Sequence, residues 1–188
     1  MHTSSNKILS MVYIALMAVI IAVCSWISIP GPVPFTLQTF AVFSALLLLG
    51  TRDGILSITV YLLLGAVGVP VFSGFSGGFS HIAGPTGGYL IGFLVMGFIY
   101  GIVTHLLSFM PKTRSIIALI LGLIVCYAFG TVWFVIVYSK VKTAIGFGSA
   151  LSMCVLPFLI PDAVKMALAI ILSYRVKALV PALKERNR

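Results

Sequence analysis

Long apolar runs alternate with short polar, glycine-rich or proline-rich breaks along the whole chain. A helix that crosses a bilayer needs about 20 consecutive apolar residues. The runs that approach this length predict six transmembrane helices, at approximately 8–29, 33–50, 55–69, 88–109, 115–138 and 158–176. The pattern therefore predicts an all-α integral membrane protein, with residues 1–188 forming a single membrane domain.

Two of the breaks are informative. A Gly-, Ser- and Phe-rich segment at 70–88 separates the predicted third and fourth helices and is the longest non-helical stretch. Because a structureless loop of this length is uncommon unless it is functional, we expect it to fold over a ligand. Residues 144–156 are expected to be an interfacial or re-entrant piece, and Pro161 to lie in the first turn of the sixth helix, where proline is tolerated.

Composition supports a membrane protein, because 61% of the 188 residues are hydrophobic and 8% are charged, against about 25% charged in soluble domains. The net charge of +9 comes from 12 Lys and Arg residues against three acids. Because these basic residues are scattered between apolar runs, no nucleic-acid partner is indicated. The three cysteines form no CxxC pair, so neither a disulfide framework nor a metal site is predicted.

The basic residues are distributed unequally between the two ends of the predicted helices. Lys140 and Lys142 lie at one end, Lys165 lies within a helix, and the other nine lie at the opposite end: Lys7, Arg52, Lys112, Arg114, Arg175, Lys177, Lys184, Arg186 and Arg188. Cytoplasmic loops are enriched in Lys and Arg. Both termini are therefore predicted to be cytoplasmic, and the loops at 30–34 and 70–88 external.

Asp162 and Lys165 are the most informative polar pair, because ionisable residues within a transmembrane helix are costly and are usually functional. Their i, i+3 spacing puts them on one helix face. They are expected to form a polar ligand site, in which Asp accepts from N–H donors and Lys meets a carbonyl or carboxylate. A purely structural ion pair and a proton-coupling Asp162 are the alternatives.

Other motifs bear on partners and on catalysis. Ala15, Ala18 and Ala22 fall on one face of the first helix, and Ala18 and Ala22 form a small-xxx-small pair that permits close helix approach. The sequence has no P-loop, so energy for transport would come from another subunit. Gly74-Phe75-Ser76-Gly77 matches the GxSG of rhomboid-type intramembrane proteases, but neither His81 nor His105 is placed as the expected base, so no enzyme is predicted.

Four segments resemble the BioY family, the biotin-binding S components of energy-coupling factor (ECF) transporters. They are Val33–Thr39 (VPFTLQT), Leu62–Phe72 (LLLGAVGVPVF), Gly84–Tyr89 (GPTGGY) and Pro161–Lys165 (PDAVK). Each segment is weak alone, but their order and spacing are specific. The resemblance implies an S-component-like six-helix bundle with the long Gly-rich loop external, located as a multi-pass protein in the lipid bilayer of a bacterial cell membrane.

The resemblance also implies a function and a set of residues. The chain would capture biotin as a transported ligand, without a cofactor, and deliver it through an ECF transmembrane coupling subunit and two ATPase subunits. Asp162 and Lys165 would belong to the ligand site, with Tyr89, Gln38, Phe35, Thr86 and Gly87 as pocket walls, and Ala15, Ala18 and Ala22 would dock on the coupling subunit.

Three alternatives stay open at this point. An S component for another small vitamin would share the architecture and differ in its pocket residues. A secondary transporter would use Asp162 for protons and need no ATPase partner. An intramembrane serine protease would use Ser76 as its nucleophile.

Overall fold

The structure, a computed structural model, describes residues 2–110, 113–141, 145–180 and 183. Within these ranges the chain forms seven α-helices: α1 (His2–Trp26), α2 (Gln38–Ala66), α3 (Phe79–Ile82), α4 (Gly87–Leu106), α5 (Arg114–Val141), α6 (Phe147–Cys154) and α7 (Leu156–Leu179). Strands β1 (Ser28–Ile29) and β2 (Phe35–Thr36) form a short antiparallel hairpin between α1 and α2. Helices dominate because a helix satisfies its own backbone hydrogen bonds in lipid.

Five stretches of the described chain are long and apolar enough to cross a membrane, namely α1, α2, α4, α5 and the α6–α7 stretch. Five of the basic residues on which the predicted orientation rests lie outside the described residues: Lys112, Lys142, Lys184, Arg186 and Arg188.

Helix α2 is folded back on itself at Gly50. This residue has φ 78° and ψ −176°, a conformation that is essentially restricted to glycine. Gln38 Nε2 lies 2.9 Å from the hydroxyl oxygen of Tyr61, although 23 residues of straight helix would separate them by about 34 Å. Residues 38–49 and 51–66 are therefore antiparallel helices, and with α1, α4, α5 and α7 they make the six predicted transmembrane segments.

Two of the helix starts differ from the prediction in segments that contain prolines. The second segment was predicted from residue 33, but the helix begins at Gln38, because Pro34 cannot donate a backbone hydrogen bond and the chain there pairs in the β hairpin. The last helix begins at Leu156, so Pro157 occupies its first turn and Pro161 lies inside it. The expectation that Pro161 occupies the first turn was therefore wrong.

The segment predicted as interfacial or re-entrant contains a second short helix. Its residue 144 lies outside the described residues, but α6 forms over 147–154 and buries Ala150 and Cys154. Both residues pack with Phe134 of α5. This segment therefore closes one side of the bundle through contacts with the chain itself.

The connection between α2 and α4 is ordered rather than structureless. It contains a 3-10 turn at Ser73–Phe75 and the short helix α3. Phe72 is fully buried and its ring lies over Gly65, 2.0 Å from where a β-carbon at position 65 would be. The indole Nε1 of Trp26 donates to the carbonyl of Pro70 at 2.9 Å, and that of Trp133 donates to the carbonyl of Gly84 at 3.0 Å. The segment is thus tied to α1 and α5 and covers one end of the bundle.

The alanine face of α1 is divided between the core and the surface. Ala15 is exposed, whereas Ala18 and Ala22 are 2% and 6% exposed and belong to the main hydrophobic core. The small side chains let α1 pack closely within its own chain. In this conformation little of the Ala18 and Ala22 side chains is open to a partner. Docking through Ala15, Ala18 and Ala22 stays a prediction.

Candidate functional site

A cavity lies beneath the 67–86 connection, between the β hairpin, the start of α2 and helices α4, α5, α6 and α7. Most of the accessible area of its wall is apolar, and the apolar residues of the wall are Val33, Pro34, Phe72, Leu90, Phe93, Leu123, Cys126, Cys154 and Phe158. Polar side chains converge on it from separate elements: Thr36, Gln38, Thr39, Ser73, His81, Thr86, Tyr89, Tyr127, Asp162 and Lys165. This combination is typical of a site for a small organic ligand.

The ion pair lies in the wall of this cavity. Lys165 Nζ is 2.8 Å from Asp162 Oδ1, and the two residues are 5% and 1% exposed. Their i, i+3 spacing on α7 brings them together. Burying two charges is tolerated only when further hydrogen bonds satisfy both groups, and the surrounding residues provide these bonds.

Lys165 has all three of its ammonium protons directed at acceptors. They lie towards the carbonyl of Thr36 at 2.6 Å, the hydroxyl of Thr39 at 3.2 Å and Asp162. The ammonium also lies 4.1 Å from the centre of the Phe35 ring, a cation–π contact. Phe35 stacks on Phe158 at 6.0 Å, so it supports the ammonium from behind the cavity wall.

Asp162 keeps one acceptor position for a ligand. Its Oδ1 accepts from Thr39 at 2.9 Å and from Lys165, and its Oδ2 accepts from the hydroxyl of Tyr127 at 2.5 Å. A carboxylate offers about four lone-pair sites, two on each oxygen. Three of these sites are occupied, so one acceptor position on Oδ2 is left at a residue that lines the cavity.

Gln38 and Tyr89 are hydrogen-bonded to neighbouring helices. Gln38 Nε2 donates to the hydroxyl of Tyr61, so the second proton of its amide is available to a ligand carbonyl. The hydroxyl of Tyr89 lies 3.0 Å from that of Thr131. These bonds fix the orientation of both side chains within the cavity wall.

His81 enters the cavity from α3. Its ring stacks on Phe72 with centroids 5.1 Å apart, and its Nδ1 lies 3.1 Å from Ser76 Oγ. The hydroxyl of Ser76 donates to the carbonyl of Ser73 at 2.7 Å, so His81 is not placed to take the proton of a nucleophilic Ser76. Burial lowers the pKa of His81 below its usual value because it disfavours the charged ring.

The structure brings five of the seven predicted ligand residues into one cavity wall: Gln38, Thr86, Tyr89, Asp162 and Lys165. Phe35 lies behind that wall. Gly87 is not in it, because it packs against the backbone of Ile82, whose carbonyl oxygen would be 1.6 Å from a β-carbon at position 87. All seven stay predictions as ligand contacts.

Sequence reasoning missed Tyr127 and His81. A single tyrosine in the apolar run of α5 does not by itself indicate a ligand site. Tyr127 joins the site because the chain folds back and brings Asp162, 35 positions later, into contact with it. His81 was considered only as a catalytic base. Within the described residues, no group of three His, Cys, Asp or Glu residues is placed to hold a metal ion.

Comparisons of the sequence and of the structure with known proteins point to one family. The model of the BioY family matches residues 1–182. The probable biotin transporter BioY of Pyrococcus horikoshii is 44% identical over 165 residues, which cover 87% of this chain and 93% of that protein. The biotin transporter BioY of Thermotoga maritima is 40% identical over 162 residues, covering 85% and 90%.

The fold is also that of a solved structure. The crystal structure of the S-component for biotin from an ECF-type ABC transporter superposes with a TM-score of 0.80 and 28% identity, over 93% of both chains. The chain therefore belongs to the BioY family.

Proposed function

We propose that this chain is the biotin-binding S component of an ECF transporter, which captures biotin from the external side and delivers it through an ATP-driven complex. BioY is a transporter family rather than an enzyme family, and the long apolar helices make the chain a multi-pass membrane protein. The observation that carries the proposal is the buried Asp162–Lys165 pair in the wall of a cavity that is covered by the 67–86 connection.

The cavity matches the chemistry of biotin. The ureido group offers N–H donors and a carbonyl, and the thioether ring is apolar. Asp162 Oδ2 has one acceptor position for a ureido N–H, and the amide of Gln38 has a proton for the ureido carbonyl. Phe93 and Leu123 are among the apolar walls that would enclose the thioether ring. Lys165 then acts by holding Asp162 rather than by contacting biotin.

The two ends of the bundle differ in a way that supports the proposed orientation. The hydroxyl of Ser10 donates to Asp53, and Gly101 packs on Thr51, so the start of α1, the turn of α2 and the end of α4 lie together. This end carries Lys7 and Arg52. The cavity lies towards the other end, so cytoplasmic termini put its covering segment on the external side.

Partners follow from the transport step. The sequence contains no phosphate-binding loop, so ATP-driven delivery requires other subunits, which we propose to be a transmembrane coupling subunit and two ATPase subunits. The exposed surface of α1, which includes Ala15, Leu16 and Val19, is the proposed contact with the coupling subunit. Biotin is the transported ligand and no cofactor is required.

Calorimetry of the detergent-purified chain with biotin, thiamine and riboflavin tests the proposal. Tight binding of biotin alone is the expected result. Selective binding of a different vitamin by a folded sample would contradict the substrate assignment while keeping the S-component architecture. Uptake by proteoliposomes that contain this chain without ATPase subunits would contradict ATP-driven delivery and favour a proton-coupled transporter.

A further inference from the structure

The ion pair leaves one group of biotin without a partner. Biotin carries a carboxylate at the end of its valerate chain, and a carboxylate needs strong donors when it enters an apolar site. The three protons of Lys165 are directed at Thr36, Thr39 and Asp162. Lys165 is the single Lys or Arg among the described residues of the cavity wall. The carboxylate therefore requires a different donor.

His81 is built to serve as that donor in a defined tautomer. Ser76 has one hydroxyl proton, which it donates to the carbonyl of Ser73. The 3.1 Å contact between Ser76 Oγ and His81 Nδ1 must then carry the proton of Nδ1. In the neutral ring this leaves the lone pair on Nε2. Because the ring is stacked on Phe72, its orientation in the cavity wall is fixed.

The titratable groups around His81 provide no competing charge. Tyr61 of α2 contacts the edge of the Phe72 ring, and Tyr89 lines the cavity from α4. The remaining titratable groups of the wall are Cys126 and Tyr127 of α5, Cys154 of α6, and Asp162 and Lys165 of α7. The last two neutralise each other at 2.8 Å. Burial alone lowers the pKa of His81, so the ring is neutral at pH 7 when the cavity holds no anion.

We propose that His81 receives the carboxylate of the bound vitamin and takes up one proton in doing so. This inference rests on the proposed function of biotin binding. One proton from solvent adds to Nε2, the carboxylate stays ionised, and the new N–H donates a charge-assisted hydrogen bond to it. The N–H bond at Nε2 is the bond that forms, the bond that breaks is that of the proton to hydronium or to the buffer acid, and the cavity gains the positive charge that an anionic ligand needs.

The proposal predicts how affinity depends on pH. The carboxylate raises the pKa of His81 in the complex above its value in the unliganded protein, so protonation and binding strengthen each other. Affinity is therefore greatest at low pH and is lost as pH rises through the pKa of the complex, by up to about tenfold per pH unit. The carboxyl group of biotin is ionised throughout the range from about pH 6 to 9.

Calorimetry between pH 6 and 9 in two buffers of different ionisation enthalpy measures the proton uptake directly. Biotin is expected to bind with uptake approaching one proton near neutral pH. Biotinamide, which is neutral, is expected to bind without uptake and with no pH dependence of this kind. Equal pH profiles for biotin and biotinamide, or binding of biotin without proton uptake, would overturn the proposal.

Two matched variants assign the proton to His81. H81Q is expected to lose both the proton uptake and the gain in biotin affinity at acidic pH, and its melting temperature in detergent checks that it is folded. H105Q carries the same substitution on an exposed residue of α4 and should keep both. Retained uptake in H81Q would overturn the role of His81. Failure of the unmodified chain to bind biotin would instead overturn the proposed function.

Discussion

The hydroxyl of Tyr127 on α5 donates to Oδ2 of Asp162 on α7 at 2.5 Å, inside the cavity wall. This bond joins two helices that are separated in sequence by the whole of α6. It sets the direction of the remaining lone pair of Oδ2, which is the acceptor that a ureido N–H would use.

Y127F is therefore expected to weaken biotin binding by about tenfold, since hydrogen bonds to charged groups contribute about 1.5–3 kcal/mol and tenfold corresponds to about 1.4 kcal/mol. Calorimetry with biotin measures the loss. Y174F removes the same hydroxyl from a tyrosine of α7 that is 61% exposed and should bind as the unmodified chain does. Equal affinities of the two variants would remove Tyr127 from the site.

Removing one charge of the Asp162–Lys165 pair should affect stability differently from removing both charges. D162N and K165M each leave one buried charge unpaired, which costs about 3–5 kcal/mol. Each is expected to lower the melting temperature in detergent and to weaken biotin binding more than tenfold.

The double variant D162N/K165M separates stability from binding. It removes both charges, so its melting temperature is expected to recover towards that of the unmodified chain while its biotin affinity stays low. Recovery of affinity together with stability would show that the pair is structural and is not part of the ligand site.

The ring of Phe72 occupies the space that a side chain at position 65 would need, and glycine leaves this space free. G65A would force that ring out of the cavity wall, and overpacking of this kind costs about 1–3 kcal/mol. We expect biotin affinity to fall at least about fivefold, measured by calorimetry. G148A places a methyl group where no atom lies within 4 Å, so its affinity should be unchanged. A wild-type affinity in G65A would show that Phe72 does not shape the site.

Gly50 allows α2 to reverse direction within one residue. G50A would place a β-carbon in a backbone region reserved for glycine, at a cost of about 1–3 kcal/mol. The melting temperature in detergent should fall. G146A is the control, because residue 146 has φ −71° and open space around it. An unchanged melting temperature in G50A would contradict the tight reversal at this position.

Because Ala15 is exposed and Ala18 is buried, replacing each of them by tryptophan should have different effects. A15W adds bulk to an exposed position and should reduce assembly with a coupling subunit while biotin still binds. A18W inserts an indole into the core at a position that is 2% exposed, so it should impair both assembly and biotin binding. Co-purification with a coupling subunit and calorimetry measure the two properties. Normal assembly of A15W would move the docking contact away from this part of α1.

The sequence by itself determined the membrane class and the six transmembrane segments, and it singled out Asp162 and Lys165 as candidate ligand residues. These follow from local properties, because a run of apolar residues has to bury its backbone polar groups in helices and because charges within such runs are costly. The four BioY-like segments also pointed to the family to which the chain belongs. None of these conclusions requires knowing which helices are neighbours.

The tertiary structure decided which side chains meet. Tyr127 and Thr39 meet Asp162 only because α5, α7 and the first half of α2 pack around one cavity. Ala18 and Ala22 turned out to be buried because burial depends on the rotation of α1 relative to its neighbours, which small residues permit in several directions. His81 contacts Ser76, whose hydroxyl is held by the carbonyl of Ser73, and this geometry is set by the turn at 73–75. Periodicity along the chain predicts the type of each element. Contacts between residues that are 35 and 126 positions apart in the sequence depend on how the elements pack.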